Sequence, residues 1–173
     1  GIRFLSELKS SLNNATFHFE KDLNGIDDIN GRVDVVVEFD HKLIVLDFKR
    51  SAGGTSSITE MLKFESVQLP FYSNTLEKVF IDHDCVGIGY VVLNNLDESI
   101  YFGIKKGIPF GKEKIISIDN WEVFKNDFAS GLKGLKQNIN ECFVQKKFNP
   151  MPRSSSTCDF CSAKLFCRYG SEV

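Results

Sequence analysis

Apolar residues recur along the chain with two different periods, and the switches between them outline the elements. Ile2, Leu5, Leu8 and Leu12 follow a 3–4 spacing that predicts a helix over residues 2–12. Residues 16–23 alternate in part and read as a strand, and 27–30 carry turn chemistry. Two β-branched runs follow, 33–39 and 43–48, separated by Asp40-His41-Lys42, which predicts a hairpin. A Gly/Ser/Thr stretch over 51–57 reads as a loop. From Ile58 to about residue 76 the apolar positions Ile58, Met61, Leu62, Phe64, Leu69 and Tyr72 predict one helix, with Pro70 marking a kink or a restart. Strands are expected over 86–93 and 99–104. A long helix is expected from Trp121 to about residue 143, with Phe124, Phe128, Leu132, Leu135 and Ile139 on one face. Residues 148–157 form a Pro/Ser loop before a closing group of cysteines. Helix, three strands, helix, two strands and helix predict a mixed β-sheet flanked by helices, an α/β or α+β domain.

Composition changes this picture little. With 173 residues, 42% of them hydrophobic and 25% charged, the chain is long enough for one full core. No run approaches the ~18 apolar residues of a membrane span, so neither a membrane nor a secreted location is expected and the chain reads as cytoplasmic. It opens on Gly1 rather than Met, which reads as a cut point with residues upstream. The net charge of −2 neither supports nor excludes a nucleic-acid partner, because clustered carboxylates count as negative until cations neutralise them.

The predicted hairpin holds the charges with the most chemical meaning. Asp47 and Lys49 are two apart on one strand and so share a face, with Phe48 on the other. A turn centred between residues 40 and 41 places Asp34 opposite Asp47. Two carboxylates and an ammonium then converge within otherwise apolar strands. Such charges are costly unless paired or metal-bound, and close carboxylates raise each other's pKa. Hard oxygen donors suit Mg²⁺ or Mn²⁺, which would polarise a phosphodiester and activate water beside Lys49. The plainer alternative is a structural Asp47–Lys49 pair with Asp34 at the surface. Neither Asp47 nor Lys49 is expected to pack in the core, so removing either should stop catalysis and spare the fold.

Gly31-Arg32-Val33-Asp34, Asp47-Phe48-Lys49 and Gln68-Leu69-Pro70-Phe71-Tyr72, followed by Pro150, Pro152 and the three closing cysteines, resemble the ordered motifs of the PD-(D/E)xK nuclease superfamily, and within it the RecB/AddB-like branch. The resemblance covers residues ~15–170 and implies a restriction-endonuclease-like fold. It implies that Asp34 and Asp47 bind the catalytic metal, with the Phe48 carbonyl as a further ligand, and that Lys49 is the catalytic lysine. Gln68, Tyr72 and Arg32 would support the site and the DNA. Phe48 stands where the branch has Tyr, and Arg50-Ser51 where it has Thr-Gly. The branch's extra His or Glu from the preceding helix has no convincing match in Glu7, His18 or Glu20. The implied activity is metal-dependent deoxyribonuclease, exonuclease rather than endonuclease, as a module partnered by a helicase domain or subunit. Two rivals stand beside it, a degenerate module that binds DNA or a partner without cutting, and a zinc-binding interaction domain.

The cysteines are five: Cys85, Cys142, Cys158, Cys161 and Cys167. The spacing of the last three points to a metal rather than to disulfides. Spacing alone leaves Zn²⁺ and a [4Fe–4S] cluster both open; the resemblance favours the iron–sulfur cluster, pinning the tail over 148–173 onto a nuclease core over 1–147. A fourth ligand would lie upstream of Gly1, or be Cys142 or Cys85. Cys85, opening a strand, reads more simply as a small buried residue.

Overall fold

The structure, a computed structural model, describes residues 14–25, 30–103, 115–117 and 120–147, together with 6, 9, 10, 12, 158, 159 and 161. Residues 6, 9 and 10 are helical and Leu12 is buried, in keeping with the predicted opening helix; the rest of that expectation lies outside the described residues. The chain divides into two compact units, residues 1–129 and 130–173. The boundary expected between 147 and 148 adjoins residues outside those described.

The first unit is built on a six-stranded mixed sheet whose strands run in sequence order: β1 (Thr16–Asp22), β2 (Arg32–Phe39), β3 (Lys42–Lys49), β4 (Asp84–Val92), β5 (Ile100–Gly103) and β6 (Ile115–Ser117). β3 pairs parallel with β4 and β5 with β6; the other neighbours are antiparallel. The parallel step from β3 to β4 needs a crossover, which two helices supply: α1 (Ile58–Leu62) and α2 (Gln68–Val79). A further helix, α3, spans Trp121–Gln145. β6 was not foreseen in the sequence, where the three residues Ile115-Ile116-Ser117 are too few to show a period.

The β2–β3 hairpin turns on Asp40 and His41, both with positive φ (43° and 58°), the backbone of a two-residue primed turn whose twist matches that of its strands. Asp and His are among the residues that tolerate this conformation best. The register, Phe39 against Lys42 through Val35 against Leu46, is the one expected from the turn position. Val33, Val36, Leu43, Val45, Ile88 and Tyr90 lie with Met61, Leu69, Leu76, Trp121 and Phe124 in one core cluster. Val35, Val37, Ile44, Leu46 and Val91 form a second cluster with Leu12, against which Phe48 packs.

The single helix predicted from Ile58 is in fact two. Ser57 and Glu60 form a capping box that starts α1. The helix is closed after five residues: Phe64 N–H bonds the Met61 carbonyl (3.0 Å) and Glu65 N–H the Glu60 carbonyl (2.9 Å), while Phe64 takes φ 58°. This is the Schellman stop, normally a glycine's place. Phe64 stands there with its ring 5.2 Å from that of Phe128, a contact no glycine could make. α2 restarts at Gln68. Pro70 is its third residue, where the missing N–H costs nothing because the first four helical amides have no partner within the helix.

Along α3 the predicted apolar stripe divides between the two units. Trp121, Phe124 and Phe128 are buried in the first; Leu135 and Ile139 in the second are 37% and 46% exposed. Among the described residues no helix is long and apolar enough to cross a membrane.

Candidate active site

Asp34, Asp47 and Lys49 come from the two arms of the hairpin. The hydrogen-bonded ladder runs from Phe39/Lys42 to Val35/Leu46, so Asp34 and Asp47 are the next positions in register. They fall at a non-hydrogen-bonded step, where opposed side chains stand closest. The ladder is not continued there. Instead the Asp34 carboxylate accepts the Phe48 amide through Oδ2 at 2.7 Å. The Glu20/Asp34 step is likewise missing from the β1–β2 pairing, and Glu20 has φ 51°. The backbone around Asp34 is thus released from regular pairing on both sides.

Asp47 is 3% exposed. Gln68 Nε2 donates to its Oδ1 at 2.7 Å, and Lys49 Nζ lies 2.6 Å from its Oδ2. The ammonium also reaches Gln68 Oε1 at 3.4 Å, closing a triangle of three side chains. Oδ2 has a charge partner at short range but accepts no well-directed hydrogen bond, which leaves a buried lone pair unsatisfied. Burial raises the Asp47 carboxyl above its ordinary value and the nearby Asp34 charge adds to this; Lys49 and Gln68 oppose it without cancelling it. The ionised carboxylate is therefore held at a cost that a bound cation would relieve. This placement corrects the expectation that Asp47 stays outside the core. Strand alternation told which face it occupies, but not that α2 would cover that face.

The helix restart is what delivers Gln68. As the first residue of α2 it sits over the end of β3, and Tyr72 follows one turn later on the same face. The Tyr72 ring packs on Gly31: a Cβ at that position would stand 3.1 Å from its Cε1. The glycine that opens the Gly31–Asp34 motif is thus the space into which Tyr72 fits. Gly54, in the 3₁₀ turn after β3, does the same for Lys49, whose Cδ would lie 3.3 Å from an added Cβ. Arg32 is not gathered into the triangle; it pairs with Glu20 at 2.6 Å on the surface. The Phe48 ring lies on the opposite side, against the second core cluster, as strand alternation requires.

The donor set at the hairpin end consists of carboxylates, hard oxygen ligands appropriate to Mg²⁺ or Mn²⁺, and the unsatisfied Oδ2 of Asp47 fits such an ion. Among the described residues no group of three His, Cys, Asp or Glu side chains is placed to hold a metal ion, so Asp34 and Asp47 would be completed by backbone and water. Mg²⁺ characteristically keeps several waters. In the closing segment, Cys158 and Cys161 are joined by a backbone contact of 3.4 Å from the Cys161 amide to the Cys158 carbonyl, and Cys142 is half-buried on α3. Cys167 lies outside the described residues. Cys85 is fully buried in the first unit, where burial pushes its thiol up to about 12, so it is an inert packing residue there.

A mixed sheet flanked by helices, with a lysine and two acidic residues at the end of a central hairpin, defines a fold of the restriction-endonuclease type. The family model of the PD-(D/E)XK nuclease superfamily matches residues 2–168, and the chain belongs to that superfamily, whose members are usually nucleases. Comparison with curated proteins and with solved structures gives no match.

Proposed function

We propose that this chain is a Mg²⁺- or Mn²⁺-dependent deoxyribonuclease of the RecB/AddB-like branch, an exonuclease module of a cytoplasmic helicase–nuclease acting in DNA repair and recombination. The observation that carries the reading is the Asp47–Gln68–Lys49 triangle beside Asp34, a buried carboxyl whose pKa desolvation raises while Lys49 and Gln68 oppose the rise. Nothing in folding calls for such a charge, whereas hydrolysis of a phosphodiester does. Asp34, Asp47 and the Phe48 carbonyl would hold the ion, which when bound supplies a polarised phosphodiester and a more acidic water. Lys49 orients the attacking water and offsets the charge that grows on the phosphorus centre. Gln68 fixes the orientation of Asp47, and Tyr72 and Arg32 border the path of the DNA. Arg32 would exchange Glu20 for a phosphate.

Cys158, Cys161 and Cys167 would hold a [4Fe–4S] cluster, or Zn²⁺ in its place, and would fasten the closing segment rather than take part in cleavage. Within this chain, Cys142 is the candidate fourth ligand.

A second reading, a module that binds DNA without cutting it, is favoured by the lack of a third His, Cys or acidic ligand beside Asp34 and Asp47 among the described residues. A cleavage assay on single- and double-stranded DNA with Mn²⁺ separates the two. Cleavage by the wild type that disappears in Asp47→Asn and in Lys49→Ala supports the nuclease. DNA binding without cleavage at any Mn²⁺ concentration establishes the second reading instead.

A further inference from the structure

Tyr90 lies toward the C-terminal end of β4 and is the register partner of Asp47 across the parallel β3–β4 ladder. It is 1% exposed. Its two ends meet two different parts of the site. The ring lies beneath the Lys49 ammonium, with Nζ 5.6 Å from the ring centroid. The hydroxyl is 3.3 Å from Ser66 Oγ, two residues ahead of Gln68 in the link that follows the α1 stop. Asp47 therefore has Gln68 and Lys49 as its polar partners, and both of those partners trace back to one tyrosine.

The arrangement addresses a conflict within the triangle. Lysine is a flexible side chain, and Lys49 is held by an ion pair, a long contact to Gln68 and the face of an aromatic ring. The ion-pair partner, Asp47, is also the carboxylate that a divalent cation would draw upon, and a shared carboxylate holds an ammonium less firmly. The ring face takes no part in that competition. A desolvated aromatic face attracts a cation through its quadrupole without neutralising it, so the ammonium keeps its charge and its place. The phenol end acts on the backbone instead: tethering Ser66 limits where α2 can begin, and α2 begins with Gln68.

We infer that Tyr90 is a positioning residue for the site, its ring face fixing the Lys49 ammonium and its hydroxyl fixing the helix start that presents Gln68. The inference rests on the reading of Asp34, Asp47 and Lys49 as a nuclease centre. Tyr90, itself buried, would act through Lys49 and Gln68 rather than on DNA or the reacting atoms.

The test replaces Tyr90 with phenylalanines bearing increasing numbers of ring fluorines, which keep the shape of the side chain and drain the negative face. Turnover at saturating duplex DNA with Mn²⁺ should fall stepwise, on the order of tenfold across the series, with the half-saturating DNA concentration unchanged. A merely structural ring would show no such trend, and equal turnover across the series overturns the role of the ring face. Unsubstituted Tyr90→Phe should lose about two- to threefold relative to wild type through the Ser66 tether; no loss overturns that half. Lys49→Ala is the control for the reading itself. Should wild type and Lys49→Ala be equally inert on DNA, the nuclease reading fails, and Tyr90 is judged from the acetylation rate of Lys49 in EDTA, followed by peptide mass spectrometry. A rate that climbs several-fold along the fluorine series supports the positioning role, and a constant rate overturns it.

Discussion

Replacing Lys49 by methionine keeps an unbranched side chain against Gly54 and Tyr90 but removes the positive charge 2.6 Å from Asp47 Oδ2. At an effective dielectric of about 20 that separation corresponds to roughly 6 kcal/mol of attraction, an upper figure for what is lost. The carboxyl can escape by taking a proton, which bounds the damage. From its ordinary value of 3.8, protonation near pH 7 costs about 4 kcal/mol at about 1.4 kcal/mol per unit. Asp47 already bears part of that cost in the wild type, because burial holds its pKa above the ordinary value. Lys49, a quarter exposed, also leaves a route for water to solvate the carboxylate. A loss of about 2–3 kcal/mol near pH 7 follows, within reach of what breaking buried pairs usually costs. The sign of the pH dependence is set by the raised pKa: this group's contribution to stability declines as pH rises above the unfolded value. The gap between wild type and Lys49→Met should therefore be widest near neutrality and narrow as pH falls through the ordinary carboxyl value of 3.8, well below which Asp47 is protonated in folded and unfolded chains alike. Thermal melts in EDTA read this directly, since about 2–4 °C per kcal/mol predicts a drop of roughly 4–12 °C. Adding Asp47→Asn to Lys49→Met should recover most of it. A Lys49→Met protein that melts within about 1 °C of wild type at neutral pH, or a gap that does not narrow in acid, would falsify the buried ion pair.

Other perturbations read other parts of the structure. Glu38 accepts from His18 Nε2 at 2.7 Å and faces His83 Nε2 at 3.1 Å, and the His18 hydrogen bond is the leading cause that holds its carboxyl below the ordinary value of 4.5. Its stabilisation is complete above that value and is lost as pH falls through the lowered one, so Glu38→Gln should flatten the acid limb of the melting curve below about pH 5. Gly31→Ala puts a methyl 3.1 Å from Tyr72 Cε1 and obliges the ring to move by a few tenths of an ångström. A destabilisation of about 1–2 kcal/mol by denaturant titration, with weaker DNA binding, is expected, and unchanged binding would remove Tyr72 from the proposed DNA path. Cys158→Ser should lower the iron or zinc content and the melting temperature together; both unchanged would count against a cluster.

Much of the fold was legible because strands and helices announce themselves through side-chain period. The hairpin turn, its register and the convergence of Asp34, Asp47 and Lys49 all follow from alternation counted outward from Asp40 and His41, a local calculation that needs no knowledge of the rest of the chain. The order of elements implied a mixed sheet, and Cys85 could be read as a packing residue from its place at the head of a strand. What the sequence left open were matters of which surface meets which. The stop after Leu62 depends on Phe64 accepting a left-handed backbone in exchange for contact with Phe128, 64 residues away, and no propensity carries that exchange. The burial of Asp47 arises only when α2 is laid across the sheet with Gln68 foremost, and the pairing of β5 with the brief β6 likewise needs the assembled sheet. Tyr90 shows the difference most plainly. In the sequence it is one aromatic residue in an apolar run; in the structure the parallel ladder sets it beside Asp47, with Lys49 over its ring and Ser66 at its hydroxyl. Local periodicity determines which face a residue occupies, because it is a property of one strand or one helix. The neighbours on that face, and hence the charge state and mobility of each group, belong to the packing of distant elements and are decided only by the tertiary structure.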